Sequence, residues 1–149
     1  MVTVSDSIEI AAPPEQVVGT IADLDTWGDW LVIHAGFSEG KPDTIAPGTK
    51  FKERVKILGM PGEVEWTVTD MELSDPGVIA MDGIGPMGTK MEAKFSIASE
   101  GEGTKVSYDA SYGGAALTPL LGQLEKATTQ ASAESLQKLR DLVTSKAAA

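Results

Sequence analysis

The sequence predicts an α+β fold in which a curved antiparallel sheet of six to seven strands wraps around a long C-terminal helix. Two observations predict this fold. Apolar residues alternate with a period of two from Lys50 to Tyr112, with turn sequences between the runs. After Gly113 and Gly114 the period changes to 3.6 and stays so to about Lys146. The order of strand, two helices, further strands and a final helix excludes a parallel sheet built from βαβ units.

The N-terminal segment predicts one strand followed by two short helices. Val2 to Ile10 alternates between apolar and polar residues, as a half-buried strand does. Pro14 then opens a helix that runs to about Leu24, because proline fits the first helical turn. Asp25 to His34 predicts a second short helix with Asp25 as its N-cap.

The later strands are separated by turn sequences. Met60-Pro61-Gly62 and Asp75-Pro76-Gly77 place proline before glycine, as a type II turn requires. Gly83 to Gly88 matches the pattern G-x-G-x-x-G, but a dinucleotide site needs a helix directly after it, and here an alternating strand follows. We therefore expect a hairpin loop that forms one lip of a pocket. The predicted strands cover residues 49–57, 64–73, 78–81, 91–97 and 106–112.

The predicted C-terminal helix begins with Thr118 as N-cap and Pro119 at the first helical position. Its residues facing the sheet are Leu117, Leu120, Leu121, Leu124, Thr128, Ala131, Ser135, Leu139 and Leu142. The middle of this face is built from side chains smaller than leucine, which cannot fill the concave side of a curved sheet to the usual packing density. The sequence therefore predicts an internal pocket.

The predicted pocket has a mostly apolar wall with a few polar groups, which is typical of a site for a small organic molecule. The alternative is that the same side chains fill a dry core, which is the commoner role of any one of them. The candidate ligand-binding residues are Trp30, His34, Phe51, Glu53, Val55, Val64, Trp66, Val68, Met91, Phe95, Tyr108, Tyr112, Leu121, Leu124 and Thr128.

Three acids fall in phase, or nearly so, with inward-facing neighbours: Asp6, Glu53 and Asp70. Buried carboxylates are costly without partners or water, so either the pocket is wet or bulges turn these acids outward. Together with His34, the acids Glu53 and Asp70 are the candidate catalytic residues for acid-base chemistry. A purely structural role for His34 is the alternative.

Composition narrows the remaining function classes. The chain of 149 residues has the length of one domain, and we expect residues 1–149 to form one. It has no cysteine and one histidine, so thiol chemistry is excluded and we expect neither a metal site nor a cofactor. The start of the chain lacks the features of a secretory signal and no run is long enough to span a membrane, so we expect a cytoplasmic protein.

Charge argues against nucleic acid as a partner. The formal net charge is -10, which repels phosphate backbones and anionic membrane surfaces. One basic row lies on a predicted strand, and acids on the next strand can pair with it across the sheet, so we interpret it as a solvated face. That row is Lys50, Lys52, Arg54 and Lys56, and the facing acids are Glu63 and Glu65.

These residues resemble the START-like, or SRPBCC, superfamily over nearly the whole chain. The opening Ile8 to Val17, the pair Asp23-Leu24 and the region of Trp30 resemble the start of such domains. The superfamily includes lipid-transfer START domains, polyketide cyclases and proteins with the birch-pollen-allergen-like helix-grip fold. The resemblance implies a hydrophobic cavity between the sheet and the C-terminal helix, with its opening near the glycine-rich hairpins and the short helices.

A second set of segments more closely resembles a bacterial subgroup of this superfamily, in which some members are known as toxins of type II toxin-antitoxin systems and others as cyclase-like proteins. The segments are Asp29 to His34, Gly59-Met60-Pro61, Trp66-Thr67, Asp82 to Gly85 and Gly113-Gly114. The fold hosts carriers, sensors and enzymes, so the resemblance does not imply one reaction.

Three functional hypotheses follow. The leading one is non-catalytic binding of a lipid-like, aromatic or polyketide-like molecule, as carrier or sensor, because no catalytic constellation is recognisable. The second is a polyketide cyclase or dehydratase that uses His34, Glu53, Asp70 or a tyrosine to move protons. The third is a toxin-like protein that binds a small protein partner, and it depends on the subgroup resemblance alone. The oligomeric state stays open between monomer and homodimer.

Overall fold

The computed structural model describes residues 2–38 and 41–148, and it confirms the α+β helix-grip architecture. Seven antiparallel strands form one curved sheet in the order β1-β7-β6-β5-β4-β3-β2, and the long helix α3 packs against its concave side. The strands are β1 (Val2–Ile10), β2 (His34–Phe37), β3 (Lys50–Ile57), β4 (Met60–Glu72), β5 (Gly77–Ile84), β6 (Lys90–Glu100) and β7 (Gly103–Gly113). The α-helices are α1 (Pro14–Ala22), α2 (Trp27–Trp30) and α3 (Leu121–Ala148).

The two short helices after β1 were predicted, but the second is shorter than expected. A 3₁₀ turn, Leu24–Thr26, precedes α2, and its cap is Asp23, whose carboxylate accepts a hydrogen bond from the Asp25 backbone N–H. The predicted N-cap at Asp25 is therefore wrong. The chain turns extended after Trp30, and His34 begins the edge strand β2 instead of ending a helix.

The turn between β3 and β4 lies two residues before the predicted one. Leu58 and Gly59 both have positive φ, at 54° and 75°. This combination is typical of the type I′ turn, whose twist matches that of a hairpin. Met60 and Pro61 belong to β4, opposite Ile57 and Lys56. The predicted turn at Met60-Pro61-Gly62 is therefore wrong.

A bulge in β4 corrects the prediction for one of the three acids. The register of β4 against β5 shifts between Val68 and Asp70. The extra residue reverses the alternation, so that Val68 is buried and Asp70 is exposed. Of the two alternatives for Asp70, the outward position produced by a bulge is the one observed, and the inward position is wrong. Asp6 is half-buried, and its carboxylate accepts a hydrogen bond from the Ser7 backbone N–H.

The C-terminal helix begins later than predicted. Thr118 and Pro119 lie in a 3₁₀ segment, Ala115–Leu120, and α3 starts at Leu121. The buried face of α3 is also rotated from the predicted one. Its buried residues are Leu124, Ser132, Ser135, Leu136, Leu139 and Val143, while Leu121, Thr128, Ala131 and Leu142 are half-buried. The side chain of Leu117 lies outside the described residues.

Within residues 2–38 and 41–148, no helix is both long enough and apolar enough to cross a membrane. The longest helix, α3, carries charged residues along its exposed face, including Lys126, Glu134 and Lys138.

Candidate functional site

The concave side of the sheet encloses a cavity of about 290 Å³ beneath α3. This volume is at the lower end of the range of about 300–1,000 Å³ that is usual for small-molecule sites. Its deep walls come from β4, β6 and β7 on one side and from α3 on the other. The residues that form these walls include Val64, Trp66, Ala93, Phe95, Tyr108, Ala110, Tyr112, Leu124, Thr128, Ala131, Ser132, Ser135 and Leu136.

The cavity exists because both walls carry small side chains at their centre. On α3 these are Ala131, Ser132 and Ser135, and on the sheet they are Ala93 and Ala110, which are register partners on β6 and β7. Toward the C-terminal end of α3 the buried side chains are larger. Leu139 and Val143 pack into the main core there and do not line the cavity. Small residues opposite small residues therefore produce the void.

Most of the predicted ligand-binding residues line this cavity. They are Trp30, Val55, Val64, Trp66, Met91, Phe95, Tyr108, Tyr112, Leu124 and Thr128. The others lie elsewhere. Phe51 and Val68 are buried in the surrounding core, Leu121 packs against the smaller cluster of Val2 and Val4, and His34 and Glu53 contact each other behind the cavity wall.

The sequence missed the residues at the mouth of the cavity. Met60 and Pro61 on the β3–β4 hairpin and Pro86 on the β5–β6 loop line the cavity and are also exposed, so the cavity opens between these two hairpins. The expected hairpin loop at the G-x-G-x-x-G motif therefore does form one lip. The proline and glycine residues near the predicted turns were the only sequence signal for these mouth residues. The close approach of Gly62 to Pro86 across the mouth can be seen only in the folded sheet.

Few polar groups reach the cavity, and two of them bond to each other. The Tyr112 hydroxyl lies 2.8 Å from Thr128 Oγ1, and Thr128 Oγ1 is also 2.7 Å from the backbone oxygen of Leu124. The threonine hydroxyl has one hydrogen, which it donates to Leu124, so Tyr112 donates to Thr128. This pair ties the sheet to α3 at one end of the cavity.

Tyr108 lines the cavity with a phenol that has no hydrogen-bond partner among the described residues. Burial raises the pKa of Tyr108, and the nearby charges of Glu53 and then Tyr112 raise it further. Burial likewise raises the pKa of Tyr112, partly offset by its bond to Thr128. Both phenols therefore stay protonated at neutral pH and act as donors, not as bases.

A buried polar network lies behind the cavity wall, centred on Glu53, which is 1% exposed. Its Oε2 is 2.7 Å from His34 Nδ1, and its Oε1 accepts a 2.9 Å hydrogen bond from Trp66 Nε1. Because a carboxylate accepts, His34 carries its proton on Nδ1. Trp66 belongs to the cavity wall, so the network fixes the orientation of one wall residue.

The candidate catalytic residues do not meet at the cavity. His34 Nδ1 and Glu53 Oε2 bond to each other, and neither residue lines the cavity. Asp70 follows the bulge in β4 and is exposed to solvent. Both oxygens of Glu53 accept hydrogen bonds from neighbouring side chains, and because Glu53 does not line the cavity it has no contact with the space that a bound molecule would occupy. In the part of the chain that the structure describes, no group of three or more potential metal ligands is present.

The family of the chain follows from a direct comparison of its sequence. The model of the family described as polyketide cyclase/dehydrase and lipid transport matches residues 1–144. The chain belongs to this family. One of its similar relatives is Toxin Rv0910 of Mycobacterium tuberculosis (strain ATCC 25618 / H37Rv), which is 32% identical over 138 residues, covering 92% of this chain and 94% of the relative.

Solved structures with the same fold agree with this family. A START superfamily protein from Mycobacterium smegmatis superposes with a TM-score of 0.69 at 22% identity, over 96% of this chain and 97% of that one. The Zhui aromatase/cyclase from Streptomyces sp. R1128 superposes with a TM-score of 0.74 at 15% identity, over 95% of this chain and 93% of that one. At these identities the similarity shows the fold and nothing about the reaction.

Proposed function

We propose that this protein binds one small, largely apolar molecule in the cavity beneath α3, as a carrier or sensor. The observation that carries the proposal is the cavity itself: about 290 Å³ enclosed by aliphatic and aromatic side chains and opening at the β3–β4 and β5–β6 hairpins. Empty apolar cavities of this kind take up apolar ligands because the ligand restores missing dispersion contacts without displacing well-bound water. Membership of a family described partly by lipid transport supports the same function.

Titration with N-phenyl-1-naphthylamine, a neutral fluorescent probe, tests the proposal. Trp30 and Trp66 line the cavity, so a bound probe should receive energy from them and saturate at one molecule per chain. Ala131→Leu places a larger side chain in the cavity and should abolish saturable binding. Ala98→Leu makes the same change on the exposed face of β6 and should leave it intact. Equal binding by both variants would place the probe outside the cavity and refute the proposal.

The second candidate function is control by a protein partner. It is favoured by two exposed apolar side chains on the β3–β4 hairpin at the cavity mouth, Leu58 and Met60, which are 45% and 49% exposed. Exposed apolar patches often mark interaction sites. The relative Toxin Rv0910, by its name, acts as a toxin. A toxin of a toxin-antitoxin pair would need a surface of this kind to bind the protein that neutralises it.

Growth measurements test this second candidate. Induction of the chain alone should slow growth of the host cell, and co-expression of a small protein encoded beside it should restore growth. Leu58→Ser combined with Met60→Ser should prevent the rescue. Leu73→Ser should not, because Leu73 is equally exposed but lies at the β4–β5 turn. Unimpaired growth on induction would count against the toxin-like function.

A cyclase or dehydratase activity, the second hypothesis from the sequence, has no structural observation in its favour. Its candidate residues His34 and Glu53 are engaged with each other behind the wall. Unchanged turnover after replacement of His34, Glu53 and Asp70 one at a time would remove it.

A further inference from the structure

Ser132 is a buried hydroxyl without a partner. It lies on α3, lines the cavity and is 7% exposed. Its Oγ has no hydrogen-bond partner within the described residues. Buried polar atoms in proteins are nearly always paired, so an unpaired one in a cavity wall is a feature that needs an explanation.

The usual way of satisfying such a hydroxyl is not used at this position. Serine and threonine inside a helix commonly donate to the carbonyl four residues earlier. Two threonines of α3 do so: Thr128 Oγ1 is 2.7 Å from the Leu124 oxygen, and Thr144 Oγ1 is 2.7 Å from the Arg140 oxygen. Ser135 is engaged as an acceptor only, because its Oγ accepts from the Val32 backbone N–H at 3.0 Å and its own hydrogen is not used in that bond. Ser132 alone among these α3 hydroxyls keeps its donor and acceptor free for a molecule in the cavity.

A second hydroxyl without any partner lines the same cavity. The Tyr108 phenol has no partner among the described residues, whereas the Tyr112 phenol is bonded to Thr128. The cavity therefore offers two unengaged hydroxyls, one from α3 and one from β7, in surroundings that are otherwise apolar. Both can donate to an oxygen of a ligand.

The charges in and near the cavity wall determine whether a neutral or an anionic ligand oxygen can bind. Among the described lining residues none carries a positive charge, and the one charged residue is the exposed Glu92. The buried carboxyl of Glu53 lies behind Trp66 and is already bonded to His34, so this pair offers no free counter-ion to an anion in the cavity. A carboxylate or phosphate buried there would lose its hydration without gaining a counter-ion, which is far costlier than burying a neutral carbonyl.

We infer that the cavity selects neutral ligands that carry a carbonyl or hydroxyl oxygen, held by Ser132 and Tyr108, and rejects their carboxylate counterparts. The inference rests on the proposed ligand-binding function and names its substrate class. The cavity of about 290 Å³ has room for on the order of twenty water-sized groups, because about 10–15 Å³ of such a cavity is needed to hold one water. A bicyclic aromatic ketone has a suitable size and chemistry.

Three naphthalenes of nearly identical shape test the inference: 2-isopropylnaphthalene, 2-acetylnaphthalene and 2-naphthoate. They present to the wall a hydrocarbon, a neutral carbonyl and an anion. Dissociation constants are measured at neutral pH by tryptophan fluorescence for the wild type, for Ser132→Ala and for Ser107→Ala. The last is a matched control, because Ser107 lies on β7 beside Tyr108 but is not among the residues that line the cavity.

In the wild type, the ketone should bind at least about tenfold more tightly than 2-naphthoate. Ser132→Ala should weaken ketone binding by about three- to tenfold, the usual worth of one hydrogen bond. The same variant should leave binding of the hydrocarbon unchanged or slightly tighter, and Ser107→Ala should change none of the ratios.

The outcomes separate this inference from the proposed function. If the hydrocarbon and the ketone bind but Ser132→Ala weakens neither, or if 2-naphthoate binds as tightly as the ketone, the polar anchor is refuted and the apolar site stands. If none of the three naphthalenes binds at saturable, one-to-one stoichiometry, both the inference and the proposed function are refuted.

Discussion

Filling the cavity should stabilise the protein, which is the opposite of what a larger side chain does in a packed core. Ala131 lies on α3 at the cavity wall and is half-buried. Ala131→Leu adds three carbon groups, and at about 0.8 kcal/mol for each buried group the upper limit of the gain is about 2.4 kcal/mol. Leucine is nearly as good a helix former as alanine, so the backbone adds little cost. We expect the free energy of unfolding to rise by about 1–2 kcal/mol.

Urea denaturation and thermal unfolding of the ligand-free protein measure this change. A gain of about 1–2 kcal/mol corresponds to a Tm increase of about 2–8 °C for a domain of this size. The control is Ala12→Leu, because Ala12 is buried in the core and does not line the cavity. That change should destabilise by about 1–3 kcal/mol through overpacking. A comparable loss of stability in Ala131→Leu would mean that the space is already filled, and the reasoning would be refuted.

Three further predictions concern the walls. Glu53→Leu should lower the free energy of unfolding by about 2–4 kcal/mol in urea denaturation, because it leaves two buried donors unpaired, one of them Trp66 Nε1; a change below about 0.5 kcal/mol would contradict the network. In an alkaline titration followed by ultraviolet absorbance, the folded protein at pH 10 should contain less tyrosinate than the urea-unfolded protein, because burial raises the pKa of both phenols. Above the pKa of the unfolded phenols the unfolded chain loses protons that the folded state keeps, so stability should fall by up to about 1.4 kcal/mol per pH unit for each buried phenol, and Tyr108→Phe should reduce this slope. Gly83→Ala should destabilise the protein by about 1–3 kcal/mol and shift the tryptophan fluorescence, because the added methyl group would lie 2.7 Å from the Trp66 ring. The control Gly19→Ala, on the open face of α1, should be neutral or stabilising.

The fold was predictable because its main signals are local. Alternation on β1, β3, β6 and β7 marks each strand without knowledge of its partner, and the change of period after Gly114 marks the final helix. The edge strand β2 was missed because it has four residues, contains Gly36 and exists through its pairing with β3. The turn at Leu58–Gly59 was missed because leucine rarely adopts a positive φ.

The site was predictable only in part, since it depends on contacts between distant segments. The apolar wall follows from strand phase, and the small side chains of α3 are visible in the sequence. The engagement of Glu53 by His34 depends on the register of β2 against β3, and the outward position of Asp70 depends on one bulge. Ser132 was not singled out, because a serine on a helix gives no sequence signal of whether it is buried, exposed or paired.

The central claim is that the space between α3 and the sheet is an accessible apolar cavity. Diffraction from crystals pressurised with xenon tests it most directly, because xenon enters apolar cavities that protein atoms leave empty. The account predicts at least one xenon atom in contact with Phe95 and Leu136, and none there in Ala131→Leu crystals. An interior occupied by protein side chains, with no xenon between α3 and the sheet, would contradict it.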